Sequence, residues 1–314
     1  MPFIRSLFRP ALLVTLACAA LLSPVTASAG GSVQPLPAPA ALTPLVHPAR
    51  VGEGVWSPQG RRVQGHAAIY TTLMRPPHNP SVEAGIAWID PRLLRAQLYS
   101  GSLSPGGLFW KRTAPISRSA AQTLVVAFNG GFLLKDSHGG YLSEGRLVAP
   151  LRPGAASLVI YRNGSWQVGQ WRRDVAMTPS VAAVRQNLTL LVDHGAPVPG
   201  LVTTDVATWG VSLNNVVDTP RSALGETANG AFVYVEGQMD IVDLAALLVR
   251  AGAVRAMVLD MNPLWPVFAT YTPASPTGYA VPANGKDLTP SMYQQPNRFF
   301  EPQYNRDFIT LSAR

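Results

Sequence analysis

Asp240-Ile-Val-Asp-Leu244-Ala-Ala-Leu247-Leu248-Val-Arg250-Ala-Gly252-Ala-Val-Arg255-Ala-Met-Val-Leu259-Asp260 is the stretch that decides how this chain is built. Leu244, Leu247 and Leu248 recur at the spacing of one helix face. Asp240 can accept from the free amides of a first turn, Arg250 suits the negative end, and Gly252 can take the left-handed conformation that stops a helix. The spacing predicts a helix capped by Asp240 and running through Ala251. Arg255 to Leu259 then reads as a buried strand. A helix feeding a strand with so short a link must fold back onto the sheet, which leaves Asp260 at a strand terminus, held by the core yet reachable by solvent.

Short strands dominate outward from this unit. Residues 67–73, 85–89 and 93–99 read as strands, with Asp90-Pro91 as a break. A short helix over 117–122 leads into Leu124-Val-Val-Ala-Phe128, so apolar that both its faces must be covered. Asn163-Gly164 between 157–161 and 165–169 signals a two-residue hairpin. Residues 187–192 and 231–235 read as further strands, the second closed by Glu236-Gly237 as a turn, and Asp193-His194-Gly195 reads as a turn as well. With 29 prolines and 27 glycines, turns are frequent. The expected fold class is α+β: a strand-rich mixed or antiparallel sheet core with a few packed helices, in a single domain over 63–314.

Residues 1–29 read as an export signal, with Arg5 and Arg9 before the apolar run Ala11 to Leu22 and a small-residue cleavage site at Ala27-Ser28-Ala29. The expected location is secreted or associated with the cell envelope. The lone cysteine, Cys18, lies inside the signal, so the mature chain has no disulfide; lipid attachment at Cys18 is the alternative reading. Residues 30–62, rich in Ala and Pro, read as a tether. Removing the signal leaves 23 basic against 17 acidic residues, a balance of +6 that favours acidic partners such as phosphate-bearing surface polymers. No nucleic-acid partner is expected at that location, nor any stable membrane insertion after cleavage, since the apolar run falls short of the roughly 20 residues a span needs.

Several segments could carry chemistry. Asn129-Gly130-Gly131-Phe132 ends the apolar strand abruptly, and paired glycines permit positive φ or close approach of a ligand to the backbone. Downstream, Asp136, His138, Glu144 and Arg146 lie in a Gly-rich loop, Glu144 being the best second carboxylate on offer. Arg221-Ser222 opens another strand, where an arginine suits a forked grip on phosphate oxygens or a surface salt bridge. The five histidines show no mutual ligand spacing, and neither a Gly-x-Ser-x-Gly elbow nor a His-Glu-x-x-His helix occurs, so no metal and no cofactor is expected.

Taken in order, Phe128-Asn129-Gly130-Gly131-Phe132, Arg221-Ser222-Ala223-Leu224-Gly225 with Asn229-Gly230-Ala231, the helix with Gly252-Ala253-Val254-Arg255-Ala256, and Leu259-Asp260 resemble the phosphodiester glycosidase family over roughly 120–310. The resemblance implies an exported glycosidase that hydrolyses a sugar-1-phosphodiester at its glycosidic bond. It assigns Asp260 the base or stabilising role, Arg221 the phosphate, and Asn129 with Gly130 and Gly131 the sugar hydroxyls, with Glu144 as a partner carboxylate and Ser222 beside them. The family continues Leu-Asp with glycines and serines, whereas this chain has Met261-Asn262-Pro263-Leu264-Trp265-Pro266. Asn262 restores a polar contact there, and Trp265 either stacks on a sugar ring or acts as a hydrophobic lid. The competing reading is a non-catalytic module that binds phosphate-containing wall glycans.

Overall fold

A computed structural model describes residues 1–3, 33–210, 216–290, 292–293, 295–302 and 304–314. The expected signal lies outside these apart from its first three residues. Gln34–Arg314 form one compact unit. No helix among the described residues is long and apolar enough to cross a membrane.

Three sheets build the unit. The first has the order β1 (Ser57–Val63), β2 (His66–Met74), β3 (Ala84–Ile89), β14 (Phe232–Met239), β13 (Thr219–Thr227), β15 (Ala253–Val258), β11 (Leu190–Asp193) and β12 (Ala196–Pro197). The second runs β7 (Arg146–Ala149), β6 (Tyr141–Ser143), β10 (Val181–Gln186), β8 (Ala156–Tyr161), β9 (Trp166–Gln170). The third runs β17 (Gly285–Asp287), β16 (Phe268–Tyr271), β5 (Leu124–Asn129), β18 (Phe308–Ala313), β4 (Leu94–Tyr99). Pairing between these strands is antiparallel, which completes the strand-rich α+β fold expected from the sequence. The short helices α1 (Arg118–Ala121) and α2 (Val206–Trp209) and the longer α3 (Ile241–Arg250) accompany them.

The deciding stretch folds as its residues dictate. Asp240 caps α3 by accepting from the Asp243 amide at 2.7 Å, and Gly252 follows the end with φ +92°. Leu244, Leu247 and Leu248 are fully buried against Val233, Val235 and Val258 of the first sheet. Each such side chain contributes roughly 2 kcal/mol of apolar burial. On the sheet's other face Tyr234 packs on Phe128 and Phe268 of the third sheet, with ring centroids 5.4 and 4.8 Å apart. Helix, first sheet and third sheet are therefore successive layers, and β5 is buried along its whole length.

Two expectations are corrected. The Ala/Pro-rich segment is not a free tether: the Leu36 amide donates to the Asp90 carboxylate, Leu42 pairs with Gly54, Trp56 Nε1 donates to the Ala40 carbonyl, and β1 begins at Ser57. Its prolines forgo ladder bonds, but scattered donors still dock it. Nor do Glu236 and Gly237 form a turn. They continue β14 opposite Ser222 and Arg221, and a Cβ on Gly237 would lie 2.9 Å from the Ala84 backbone, so this glycine serves close strand packing.

Candidate active site

Asp260 stands two residues beyond β15, where pairing with β13 continues through Leu259 N to Ser222 O (2.8 Å) and Ser222 N to Asp260 O (2.7 Å). Its Oδ1 then accepts from the amides of Met261 (2.8 Å) and Asn262 (2.9 Å), ending the strand in a side-chain-capped turn. Asn262 Oδ1 accepts from Leu264 N in a second such turn, and Trp265 N donates to the Asn262 carbonyl. The amides of Met261, Asn262, Leu264 and Trp265 thus serve the loop itself. Any oxyanion met by this loop must be held by side chains.

A cavity of about 400 Å³ opens over Asp260, lined among others by Phe132, Lys135, Asp136, His138, Met261, Asn262 and Arg306. Arg306 Nη2 donates to Asp260 Oδ2 at 2.6 Å and to the Gly131 carbonyl at 2.9 Å. The Arg306 guanidinium also lies 4.9 Å from the Trp265 ring, which covers it, and Arg306 Nε is buried with no partner among the described atoms. Burial pushes the Asp260 carboxyl up to about 6 against the opposing pull of Arg306 and the two loop amides. Such a group is ionised at neutral pH yet accepts a proton readily, which suits a base or a stabiliser of positive charge.

The expected residues divide by place. Asp260 and Asn262 line the cavity. Asn129 and Ser222 lie directly behind Asp260: Asn129 Nδ2 donates to Ser222 Oγ at 2.9 Å, and the Asp260 amide donates to the same Oγ at 3.2 Å. Both are buried, so they hold the site without touching a ligand in the cavity. Gly130 and Gly131 do not have positive φ; they permit close approach of a buried ion pair. A Cβ on Gly130 would lie 2.1 Å from Asp307 Oδ2, and one on Gly131 2.9 Å from the Arg185 guanidinium. Arg185 Nε donates to Asp307 Oδ2 at 2.8 Å, with both side chains buried.

Arg221 and Glu144 are corrections. The Arg221 guanidinium donates to the carbonyls of Met239 (2.9 Å) and Val217 (3.3 Å) and rests 3.8 Å from Met261 Sδ, and burial brings its pKa down to about 10. It braces the backbone beneath Met261. Glu144 occupies a positive-φ turn after β6, accepts from the amides of Lys111 and Arg112, and lines a different cavity with Arg95 and Arg112. Asp136, exposed on the cavity rim, is the carboxylate that accompanies Asp260. Trp265 packs over Arg306 and Tyr304 as a lid.

Sequence reasoning passed over Arg306, Asp307 and Asn187. The signal for the first two was available: a charged pair directly before the apolar run Phe308-Ile309 must find partners inside. Asn187 breaks the strand expected over 187–192, donating to the carbonyls of Val258 and Leu259 and accepting from Phe132 N, so it ties the end of β15 to the cavity wall. Among the histidines, His78 meets Asp240 (2.7 Å) and Asp243 (3.4 Å), the one trio among the described residues whose ligand atoms converge within 4.8 Å. Asp240 is already committed to the α3 cap, and Asp243 to the His78 amide.

A buried strand-end carboxylate with a raised pKa, paired with an arginine at a cavity wall, is able to exchange a proton with a bound ligand or to stabilise positive charge on it. The sequence profile of the phosphodiester glycosidase family matches residues 122–260, from just before β5 to Asp260 itself. That span carries the family's signature, as the motifs suggested. The catalytic domain of zebrafish N-acetylglucosamine-1-phosphodiester alpha-N-acetylglucosaminidase, in a form auto-inhibited by its pro-peptide, superposes with a TM-score of 0.50 at 15% identity, covering 82% of this chain and 87% of that one. The fold is shared with that domain. A hypothetical protein from Synechocystis aligns with a TM-score of 0.42 at 12% identity, over 82% of this chain and 64% of its own. No curated protein matches by sequence.

Proposed function

We propose that this protein is an exported glycosidase that hydrolyses a sugar-1-phosphodiester at its glycosidic bond, acting on cell-envelope or extracellular glycans. The observation that carries the reading is the pair that Asp260, the last residue of the family-matched span, makes with Arg306 at the wall of the cavity. A water oxygen adds to the anomeric carbon while the bond from that carbon to the phosphate oxygen breaks, releasing free sugar and a phosphomonoester. Asp260 stabilises the developing positive charge on the sugar ring or takes the water's proton. Phosphate is already a good leaving group, so it needs positive charge more than an acid, and Arg306 with Lys135 supplies it in place of Arg221.

The test is release of free sugar from a panel of sugar-1-phosphate esters. Asp260→Asn keeps the shape and removes the charge, so activity falls at least about a hundredfold; buried Arg306 loses its counter-charge, so the melting temperature falls as well, and circular dichroism checks that the variant is still folded at the assay temperature. An unchanged rate in this variant removes Asp260 from the mechanism. One observation favours a binding-only module: the loop after Asp260 consumes its own amides. Retention of the protein on phosphate-containing wall glycans with no turnover of any ester would decide for it. Export is tested by locating the protein in cell fractions and sequencing its amino terminus, expected near Gly30.

A further inference from the structure

Behind Asp260 a file of buried polar side chains crosses the space between the first and third sheets. Ser222 Oγ, which accepts from the Asp260 amide, is 2.9 Å from Asn129 Nδ2. Asn129 Oδ1 accepts from the Tyr234 hydroxyl at 2.7 Å and from Val267 N at 3.2 Å. Tyr234 OH in turn is 3.0 Å from Glu236 Oε2. Both Tyr234 and Glu236 are completely buried on β14.

The proton count along this file is constrained. The Val267 amide requires an oxygen at Asn129 Oδ1, and the Gly130 carbonyl, 2.8 Å away, requires an N–H at Nδ2, so the amide cannot be turned over. The Tyr234 hydroxyl has one proton and faces two acceptors if Glu236 is ionised. Glu236 Oε1 faces the Thr289 hydroxyl at 3.5 Å and the carboxyl group also receives the Thr289 amide, while Oε2 faces the Tyr234 hydroxyl at 3.0 Å, where a carboxylic-acid proton would be donated. The groups facing Glu236 are Tyr234 on its own strand, Ser222 on β13, and Thr289 with the further carboxylate Asp287 from the third sheet and its exit. No cation is among them.

We propose that Tyr234 and a protonated Glu236 are positioning residues for the candidate site: the Glu236 proton turns the Tyr234 hydroxyl toward Asn129, which fixes the amide, Ser222 and hence the main chain that presents Asp260. Loss of that proton makes Glu236 the stronger acceptor, draws the Tyr234 hydroxyl away, and leaves Asn129 Oδ1 with the Val267 amide alone. Burial, with the charge of Asp287 adding to it, pushes Glu236 up to about 8, which puts the change within reach of mild alkali. The inference rests on the reading of Asp260 as the reactive carboxylate, but the hydrogen-bond file can be tested apart from it.

The experiment follows the Asn129 side-chain amide by ¹⁵N–¹H NMR of the intact protein between pH 6 and 9.5, beside the pH profile of sugar release. In the wild type the Asn129 signals shift with a midpoint near 8, and kcat falls over the same range while KM holds. Glu236→Gln keeps a donor toward Tyr234 and cannot ionise, so both the NMR shift and the alkaline fall in kcat disappear. Tyr234→Phe cuts the file, lowering kcat about tenfold at every pH and uncoupling Asn129 from the titration. An Asn129 amide that does not titrate, or that titrates identically in Glu236→Gln, overturns the proposal. A wild type that releases no sugar at any pH, with the NMR titration present, overturns the glycosidase reading and leaves the file standing.

Discussion

Gly130 is where the structure makes its sharpest quantitative demand. Replacing it by alanine puts a methyl 2.1 Å from Asp307 Oδ2, 2.6 Å from Asp307 Cγ and 2.7 Å from the Asp307 carbonyl, when ordinary contact needs about 3.4 Å or more. Asp307 cannot retreat cheaply. It is buried, its carboxylate takes Arg185 Nε at 2.8 Å, and its carbonyl accepts from Gly130 N at 2.9 Å. Relieving the clash therefore separates a buried ion pair, which costs about 3–5 kcal/mol. At about 2.1 cal/mol/K per residue, the 281 residues from Gln34 to Arg314 unfold with an entropy near 0.6 kcal/mol/K, so Tm should fall by about 5–8 °C. Calorimetry of Gly130→Ala beside the wild type measures this directly, and urea midpoints check it. A Tm within about 2 °C of wild type would mean that the close approach is relieved by a backbone adjustment the structure does not foresee.

Three further outcomes are expected. Glu236 has a folded pKa of about 8 against an ordinary 4.5, so its contribution to stability is fully present below about 4.5 and is lost as pH rises through 8, up to roughly 5 kcal/mol. Denaturant unfolding at pH 5 and pH 8.5 should show a steeper loss in the wild type than in Glu236→Gln; parallel slopes would refute it. Arg306→Lys replaces the planar guanidinium, whose Nη2 reaches both Asp260 and the Gly131 carbonyl while the group lies 4.9 Å from the Trp265 ring, by a differently placed ammonium, so sugar release should drop at least about tenfold; full activity would remove the pair from the mechanism. Glu144→Gln should leave the rate within about twofold, because that side chain serves the Lys111 and Arg112 amides in another cavity; a hundredfold loss would return it to the site.

What the sequence made legible was local. The Asp240 cap, the leucine face of α3 and the Gly252 stop are decided within one helical turn of the residues concerned, and the Asn163-Gly164 hairpin within two residues. Asp260 at a strand end followed from these. What stayed hidden depended on distant partners. Glu236-Gly237 looks like a turn because a carboxylate and a glycine rarely occupy a central strand, and only Tyr234, Thr289 and the nearby Ala84 backbone make both acceptable there. Arg221 carries the charge expected of a phosphate ligand, yet the carbonyls of Met239 and Val217 claim its guanidinium. Arg306 lies 46 residues beyond the carboxylate it pairs with, outside any motif.

The place of β18 has a bearing on the order in which the molecule is assembled. It lies inside the third sheet, between β5 and β4, and the two residues just before it are Arg306 and Asp307. A ribosome delivers this segment after every strand and helix it must join. Until then β5 and β4 lack their shared neighbour, Arg185 has no counter-charge, and Asp260 has no arginine. Nascent chains should consequently close the third sheet and complete both buried ion pairs in a single late step.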